Sequence, residues 1–319
     1  MQKITFQPPI YLKNPYVQSI LASKRPGGKL SPLIKEVSQN IIIQCKNNVR
    51  LMGTLSKQQA ETSKPFIILL HGWEGSGASR YAIGTTNYLF QNGFNVFRLN
   101  LRDHGDTHHL NKGLFFISFF DEVFDAVSQI AQMANGNPVC IVGFSLGGNF
   151  ALRIARQQSI TPIVGLKHIL AISPPVNPEL TTKYIDEIPL FKYYFLKKWK
   201  RSLQKKQDLF PNLFNFDDVL RLASIRDVTD ALVKEYSEFS NTLEYFETYT
   251  LIGNALKSIN IPTTIVVAAD DPIIPINDFY QFPTNPATRL IVHAFGGHLG
   301  FNTGFFSSPW FDPFMANLF

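Results

Sequence analysis

The stretch Val139-Cys140-Ile141-Val142-Gly143-Phe144-Ser145-Leu146-Gly147-Gly148-Asn149-Phe150-Ala151 decides the fold. Residues 139–142 are a short apolar, β-branched run of the kind that forms a strand buried on both faces. Residues 147–158 carry a helical pattern. Between the two lies Gly143-Phe144-Ser145-Leu146-Gly147, a G-x-S-x-G turn. A strand that gives way to a helix so abruptly brings the backbone at its flanks into contact, so glycine is required on both sides. The central residue is held clear of the sheet. That geometry is a nucleophile elbow and makes Ser145 the candidate nucleophile. The bare pattern also arises by chance; the strand before it and the helix after it give it weight.

Outward from the elbow the same alternation repeats. Apolar runs at 66–70, 96–101, 168–172, 264–268 and 290–292 have the length and composition of buried strands. Helical patterns lie between them: 81–91, stopped by Gly93, and 118–133, stopped by Asn135-Gly136. Short buried strands alternating with helices predict a mostly parallel central sheet with helices on both faces, the α/β class. The less regular 41–44 and 50–54 predict an antiparallel hairpin leading into it. The alternation breaks at Ser173-Pro174-Pro175, and aromatic, basic helical sequence follows until strand-like sequence resumes at Pro262. The expectation is a single domain over 1–319 with a helical cap inserted at about 176–259.

Composition agrees with a folded enzyme-sized chain. There are 319 residues, 28 of them Phe, and only 17% are charged, against about 25% in ordinary soluble proteins. Disorder is excluded. The balance of 30 basic against 24 acidic residues, a net +6, is small for a dedicated nucleic-acid binder of this size, and no nucleic-acid partner is expected. The two cysteines, Cys45 and Cys140, fit reduced thiols better than a disulfide framework or a zinc site. Residues 1–21 lack the apolar core of a signal peptide. Runs such as Ile67-Ile68-Leu69-Leu70 are far too short to span a bilayer. A cytoplasmic protein is the expectation.

A serine nucleophile needs a base, and the base needs an acid to orient it. On a sheet of this kind the acid and then the histidine follow the serine along the chain. His298, in the loop Gly296-Gly297-His298-Leu299-Gly300 beyond the last strand, is the favoured base; His293, at the end of that strand, is the alternative and suits a structural role. The acid should follow the strand 264–268, where Ala269-Asp270-Asp271-Pro272 offers two carboxylates. Asp271 is favoured, with Asp270 as its competitor. An oxyanion hole would come from the N–H of Leu146 and an N–H in the loop His71-Gly72-Trp73-Glu74-Gly75, best that of Trp73. His71 suits loop packing rather than catalysis.

Other motifs carry weaker signals. Gly75-x-Gly77 after a strand is half of a dinucleotide fingerprint, but Arg80 stands where the third glycine belongs. The run Asp103-His104-Gly105-Asp106-Thr107-His108-His109 could hold a metal through His104 and His108, yet no Cys or Glu completes a ligand set, and a polar loop explains it as well. No metal and no cofactor is expected. Phe191, Phe195, Trp199 and Leu203 recur every fourth residue, with Lys192, Lys197, Lys198, Lys200, Arg201, Lys205 and Lys206 filling the rest. This basic amphipathic helix fits a cap helix with its aromatic face on the core; weak contact with an anionic membrane surface is the rival reading.

With these pieces in place the chain resembles the α/β-hydrolase superfamily over nearly its full length. More narrowly, it resembles the YheT-like branch, akin to the abhydrolase-domain esterases and the yeast medium-chain ethyl ester synthases. The resemblance rests on Asn14-Pro15-Tyr16-Val17-Gln18-Ser19, His71-Gly72-Trp73-Glu74-Gly75-Ser76, Gly143-Phe144-Ser145-Leu146-Gly147-Gly148-Asn149, Ala269-Asp270-Asp271-Pro272 and Gly296-Gly297-His298-Leu299-Gly300-Phe301. The cap stretch Arg226-Asp227-Val228-Thr229-Asp230, with Tyr245 downstream, is also similar. The resemblance implies a triad at Ser145, Asp271 and His298 and a serine esterase acting on small carboxylic esters. The cap segment supplies Tyr184, Tyr193, Tyr194, Phe195, Phe210, Phe214, Phe216, Phe239, Tyr245 and Phe246, more aromatic area than its own helices need, which predicts a pocket for an apolar acyl group. Acyl transfer to an alcohol is the alternative chemistry, and a non-catalytic binding module on the same fold is the alternative class. Two stretches depart from the family pattern: Asn100-Leu101-Arg102-Asp103-His104-Gly105, and the short aromatic segment after Phe301.

Overall fold

The structure, a computed structural model, describes residues 6–24, 28–283 and 285–319. Its centre is a sheet of strands β1 (Ser38–Gln44), β2 (Arg50–Ser56), β3 (Phe66–Leu70), β4 (Asn95–Asn100), β5 (Val139–Phe144), β6 (Leu166–Ile172), β7 (Thr263–Ala268) and β8 (Thr288–His293). Their order is β1-β2-β4-β3-β5-β6-β7-β8. The pairs β1–β2 and β2–β4 are antiparallel, and every pair from β4 to β8 is parallel. The strand runs seen in the sequence thus lie within two residues of their observed ends, three at the start of β1, where assignment is least sharp.

Successive side chains of a strand point to opposite faces, and β3 shows the consequence. Phe66, Ile68 and Leu70 enter one core, while Ile67 and Leu69 enter the other. All five are buried, which is why the run is continuously apolar instead of alternating. The first core is closed by α4 (Phe120–Gln132) and α5 (Leu146–Gln157), the second by α3 (Arg80–Gln91) and the C-terminal α11 (Phe311–Leu318). Two short helices near the start, α1 (Pro15–Lys24) and α2 (Pro32–Glu36), were not evident from the pattern. Residues 1–5 of the segment examined for a signal peptide lie outside the described residues. Among the described residues, no helix is long and apolar enough to cross a membrane.

Between β6 and β7 the chain forms α6 (Pro178–Glu187), α7 (Pro189–Leu209), α8 (Ile225–Tyr236) and α9 (Thr242–Glu247); α10 (Asn277–Tyr280) follows β7. The long α7 turns Phe191, Leu196 and Leu203 into the core, and Phe195 and Trp199 pack against Trp73. Its aromatic stripe is therefore turned onto the body. One residue corrects the sequence reading. Lys206, counted with the solvated charges, is wholly buried. Its Nζ donates to Asp103 Oδ1 at 2.8 Å and to the carbonyl of Asn111 at 2.7 Å, with the rings of Phe210 and Phe214 alongside. The aliphatic stem carries the charge inward from the helix, and the loop after β4 supplies the counter-ion.

This pair joins α7 to the sheet. Asp103→Ala would leave a buried ammonium with carbonyl partners only, and removal of one member of a buried pair costs about 3–5 kcal/mol. Arg226→Ala, which breaks a half-exposed pair with Asp230, should cost less than about 1 kcal/mol. Urea unfolding of the two variants checks the contrast, and equal midpoints would refute it.

Candidate active site

Ser145 sits between β5 and α5 with φ 51 and ψ −118, a strained conformation for a residue bearing a side chain. Its N–H donates to the carbonyl of Ile172 at 2.9 Å, while its own carbonyl accepts from Gly148 and Asn149 at 2.7 and 3.1 Å. The flanking glycines are steric necessities. A Cβ on Gly147 would lie 2.2 Å from the carbonyl oxygen of Leu70, and one on Gly143 would lie 2.2 Å from that of Gly147. No side chain fits either place, so the elbow seen in the sequence is built as its spacing requires.

The loop after β8 brings His298 to this serine. Nε2 of His298 lies 2.9 Å from Ser145 Oγ, and Nδ1 lies 2.9 Å from Asp271 Oδ2. The other carboxylate oxygen, Asp271 Oδ1, accepts the N–H groups of Ile273 and Ile274 at 3.0 and 3.1 Å. Both His298 and the Asp271 side chain are buried. Asp270 turns the other way: its Oδ1 accepts the N–H of Gly297 at 2.9 Å and so ties the histidine loop to the end of β7. Burial is the main reason its pKa is raised. His293 lies apart, at the end of β8, where Nδ1 accepts the N–H of Phe6 at 3.2 Å and the ring meets the edge of Trp310. Burial lowers its pKa to about 4, so it is neutral.

The loop after β3 also reaches the serine: a Cβ on Gly72 would lie 3.2 Å from Ser145 Cβ. Tyr81 OH accepts the Gly72 N–H at 2.8 Å. Buried His71 accepts the N–H of Leu101 on Nε2 at 3.1 Å, so its proton is on Nδ1 and donates to the Gly72 carbonyl at 2.8 Å. Burial lowers its pKa to about 3, which keeps it in this neutral form. These bonds fix the loop that carries Trp73. Leu146 begins α5, where N–H groups have no partner within the helix. Trp73, Ser145 and Leu146 border one cavity.

Two cavities meet at Ser145. One is an apolar chamber of about 100 Å³ beneath the segment between β6 and β7, walled by Trp73, Phe115, Phe116, Trp199, Tyr245 and Phe246 among others. No charged side chain lines it. The other is a wider cleft of about 520 Å³ that also contains His298 and is bordered by Ser76, Tyr194 and Lys198. Of the cap aromatics noted in the sequence, Phe195, Trp199, Tyr245 and Phe246 reach the chamber. Phe214 and Phe216 pack against Tyr236 instead, and Tyr193 is exposed.

Sequence reasoning missed what holds the histidine loop. The His298 N–H donates to Ser19 Oγ at 2.8 Å, and Ser19 in turn donates to the Pro15 carbonyl. Gln18 is fully buried; its Oε1 accepts from the backbone N–H of Asn302 at 2.8 Å, and its Nε2 donates to the Leu12 carbonyl at 2.8 Å. The only signal was the stretch Asn14–Ser19 in the family resemblance, which carries no indication of its partner. His104 and His108, considered for a metal, each use one ring nitrogen elsewhere, and His104 Nε2 and His108 Nδ1 are buried without a partner. His104 Nδ1 bonds the Arg102 carbonyl, and His108 Nε2 bonds Ser202 Oγ. Among the described residues, no group of three or more His, Cys, Asp or Glu side chains could hold a metal ion.

Comparison with known proteins agrees with this architecture. The chain is 23% identical to the embryogenesis-associated protein EMB8 of Picea glauca, over 95% of this chain and 69% of that protein. It is 24% identical to phospholipase ABHD3 of Mus musculus over 76% of this chain, but spans only 60% of that protein's length. It is also 24% identical to the putative esterase YheT of Escherichia coli, over 77% and 73% of the two chains. Among solved structures, the esterase Pf2001 of Pyrococcus furiosus superposes with a TM-score of 0.57 at 17% identity, covering 92% of this chain and 96% of that one. That likeness establishes a shared fold. The family model for serine aminopeptidase S33 matches residues 61–292, most of the sheet and the whole segment over the serine. The chain belongs to that family, within the α/β-hydrolase superfamily.

Proposed function

We propose that this chain is a serine hydrolase of carboxylic esters with an apolar acyl group, working through an acyl-enzyme. The observation that carries the reading is the meeting of an apolar chamber and an open cleft at one serine whose Oγ is hydrogen-bonded to a histidine. An acyl chain enters the chamber, the alcohol portion lies in the cleft, and the ester carbonyl is left beside Ser145. His298, its Nδ1–H held by Asp271, takes the serine proton on Nε2 as Oγ adds to the carbonyl. The N–H groups of Leu146 and Trp73 bind the oxyanion; one such donor is typically worth about 10²–10³ in rate. His298 returns the proton to the departing alcohol. Water then repeats the sequence on the acyl-enzyme and releases the acid.

An ester with an apolar acyl part fits better than a peptide read from its amino terminus. An N-terminal ammonium next to the scissile bond would need a counter-charge, and the chamber offers none. The esterase and phospholipase names of the relatives point the same way.

A fluorophosphonate probe and a p-nitrophenyl ester series test the reading. The probe should label the protein. Lengthening the acyl chain from acetate to butyrate buries two more methylenes, each worth about 0.8 kcal/mol, so kcat/KM should rise about tenfold before the chamber fills. A steady fall from acetate upward would leave only a short-chain esterase. Product analysis with added alcohol separates hydrolysis from transfer.

A further inference from the structure

Across the loop 74–78 from the catalytic cleft lies a third cavity, of about 560 Å³, which contains none of Ser145, Asp271 and His298. Its walls are the end of β4, the loops 74–78 and 103–108, and the turns of α7 that carry Lys198, Arg201 and Lys205. No Phe, Tyr or Trp lines it. Glu74, Ser76 and Lys198 border both this cavity and the cleft, so the two adjoin.

The charges around it do not balance internally. Arg98 is only 4% exposed. Its Nη1 donates to the Gly77 carbonyl at 2.7 Å, but its Nε is buried with no acceptor. Among the described residues no carboxylate pairs with it, and burial alone lowers its pKa to about 10. A buried cation with no counter-anion is an arrangement that folding strongly disfavours. The nearby acids are otherwise engaged. Asp103 holds Lys206, and Asp106 holds Lys205 at 2.9 Å. Burial raises Glu74 to about 8, so it is mostly protonated at neutral pH. Lys198 donates to the backbone carbonyl of Glu74, not to a carboxylate. Asn100 accepts the Gly77 N–H on Oδ1, which leaves its amide NH2 as a donor.

We propose that this cavity binds a phosphate-type oxyanion, held between the Arg98 guanidinium and the Lys198 and Arg201 side chains of α7. A tetrahedral polyoxygen anion suits one rigid guanidinium fork with two flexible cations around it. With no Phe, Tyr or Trp in the lining, no broad platform is offered on which a base would stack. The phosphate is either a free small anion or one borne by the alcohol part of the substrate. Only the second source rests on the ester-hydrolase reading.

Titration calorimetry with inorganic phosphate and with glycerol 3-phosphate, at constant ionic strength, tests binding on the full chain and on Ser145→Ala. Saturable binding to one site is expected in both. Exposed Arg201→Ala should weaken it about tenfold or more, Arg98→Gln should abolish it, and Arg226→Ala should leave it unchanged. Absence of saturation by either anion at about 10 mM, or binding indifferent to both Arg98→Gln and Arg201→Ala, overturns the proposal. Should Arg98→Gln fail to fold, the Arg201→Ala result decides. A second arm compares kcat/KM for 1-butyryl glycerol and its 3-phosphate. A preference for the phosphate ester that Arg201→Ala removes identifies the substrate as the source; equal rates together with anion binding identify a free anion. If neither ester is hydrolysed, the catalytic reading fails while the binding result stands.

Discussion

Ser145→Ala is expected to abolish fluorophosphonate labelling and to lower kcat for p-nitrophenyl butyrate by about 10⁶-fold, with the fold intact. The size of the effect follows from what is removed. Without Oγ there is no covalent intermediate, and His298 has no proton to take. The residual rate would come from the donors at Leu146 and Trp73 acting on a bound ester attacked by water, about 10³–10⁴ above solution. The fold should persist because the substitution leaves the elbow unaltered. Gly143 and Gly147 still allow the close backbone contacts, and the Ser145 N–H still reaches the Ile172 carbonyl. One side-chain hydrogen bond, to His298, is lost, a change of about 1 kcal/mol in stability. Circular dichroism and the urea midpoint report the fold, and the ester assay reports the chemistry. A purified, folded variant that hydrolyses the ester at the wild-type rate would remove Ser145 from the mechanism.

What was legible in the sequence is local, and what was not is long-range. The strands could be seen because burial on both faces forces continuous apolar runs, as in Phe66–Leu70, and the elbow because Gly143 and Gly147 answer a steric demand within five residues. Asp271 and His298 come together because each stands just past the end of a parallel strand, and the ends of neighbouring parallel strands are adjacent in space. Nothing of that kind marks Ser19, which bonds the His298 backbone from 279 positions away. A serine in a short helix looks the same whether it faces water or another loop. Lys206 shows the converse error: a lysine among lysines reads as solvated, and only the position of Asp103 and Asn111 reveals it as buried. The chamber wall supplied by Phe115, Phe116 and Ile117 was equally hidden. Aromatic residues in a connecting loop give no sign of which cavity they border.

The adjacent aspartates give the second large effect, and their hydrogen bonds predict opposite outcomes for the same substitution. Asp271 Oδ1 accepts two backbone N–H groups, from Ile273 and Ile274. In Asp271→Asn that position must keep the amide oxygen, since an NH2 there would face two donors. The NH2 is therefore turned toward His298 Nδ1, which can meet it only as an acceptor. The imidazole proton moves to Nε2, where it faces Ser145 Oγ, and the base is lost. A wrong tautomer in an otherwise preserved site costs about 10⁴-fold in kcat. Asp270 has one oxygen on the Gly297 N–H and the other buried without a partner. Asparagine keeps the first as an acceptor and replaces the second with an uncharged NH2, so Asp270→Asn should change kcat by less than about tenfold and affect mainly stability. Paired kinetics and unfolding curves decide between them. If Asp270→Asn were the more damaged in kcat with both variants folded, the acid would be Asp270, and the bond between Asp271 and His298 would be structural. The tautomer argument makes the opposite ordering the expected one, because only Asp271 touches the ring nitrogen whose proton sets the state of the base.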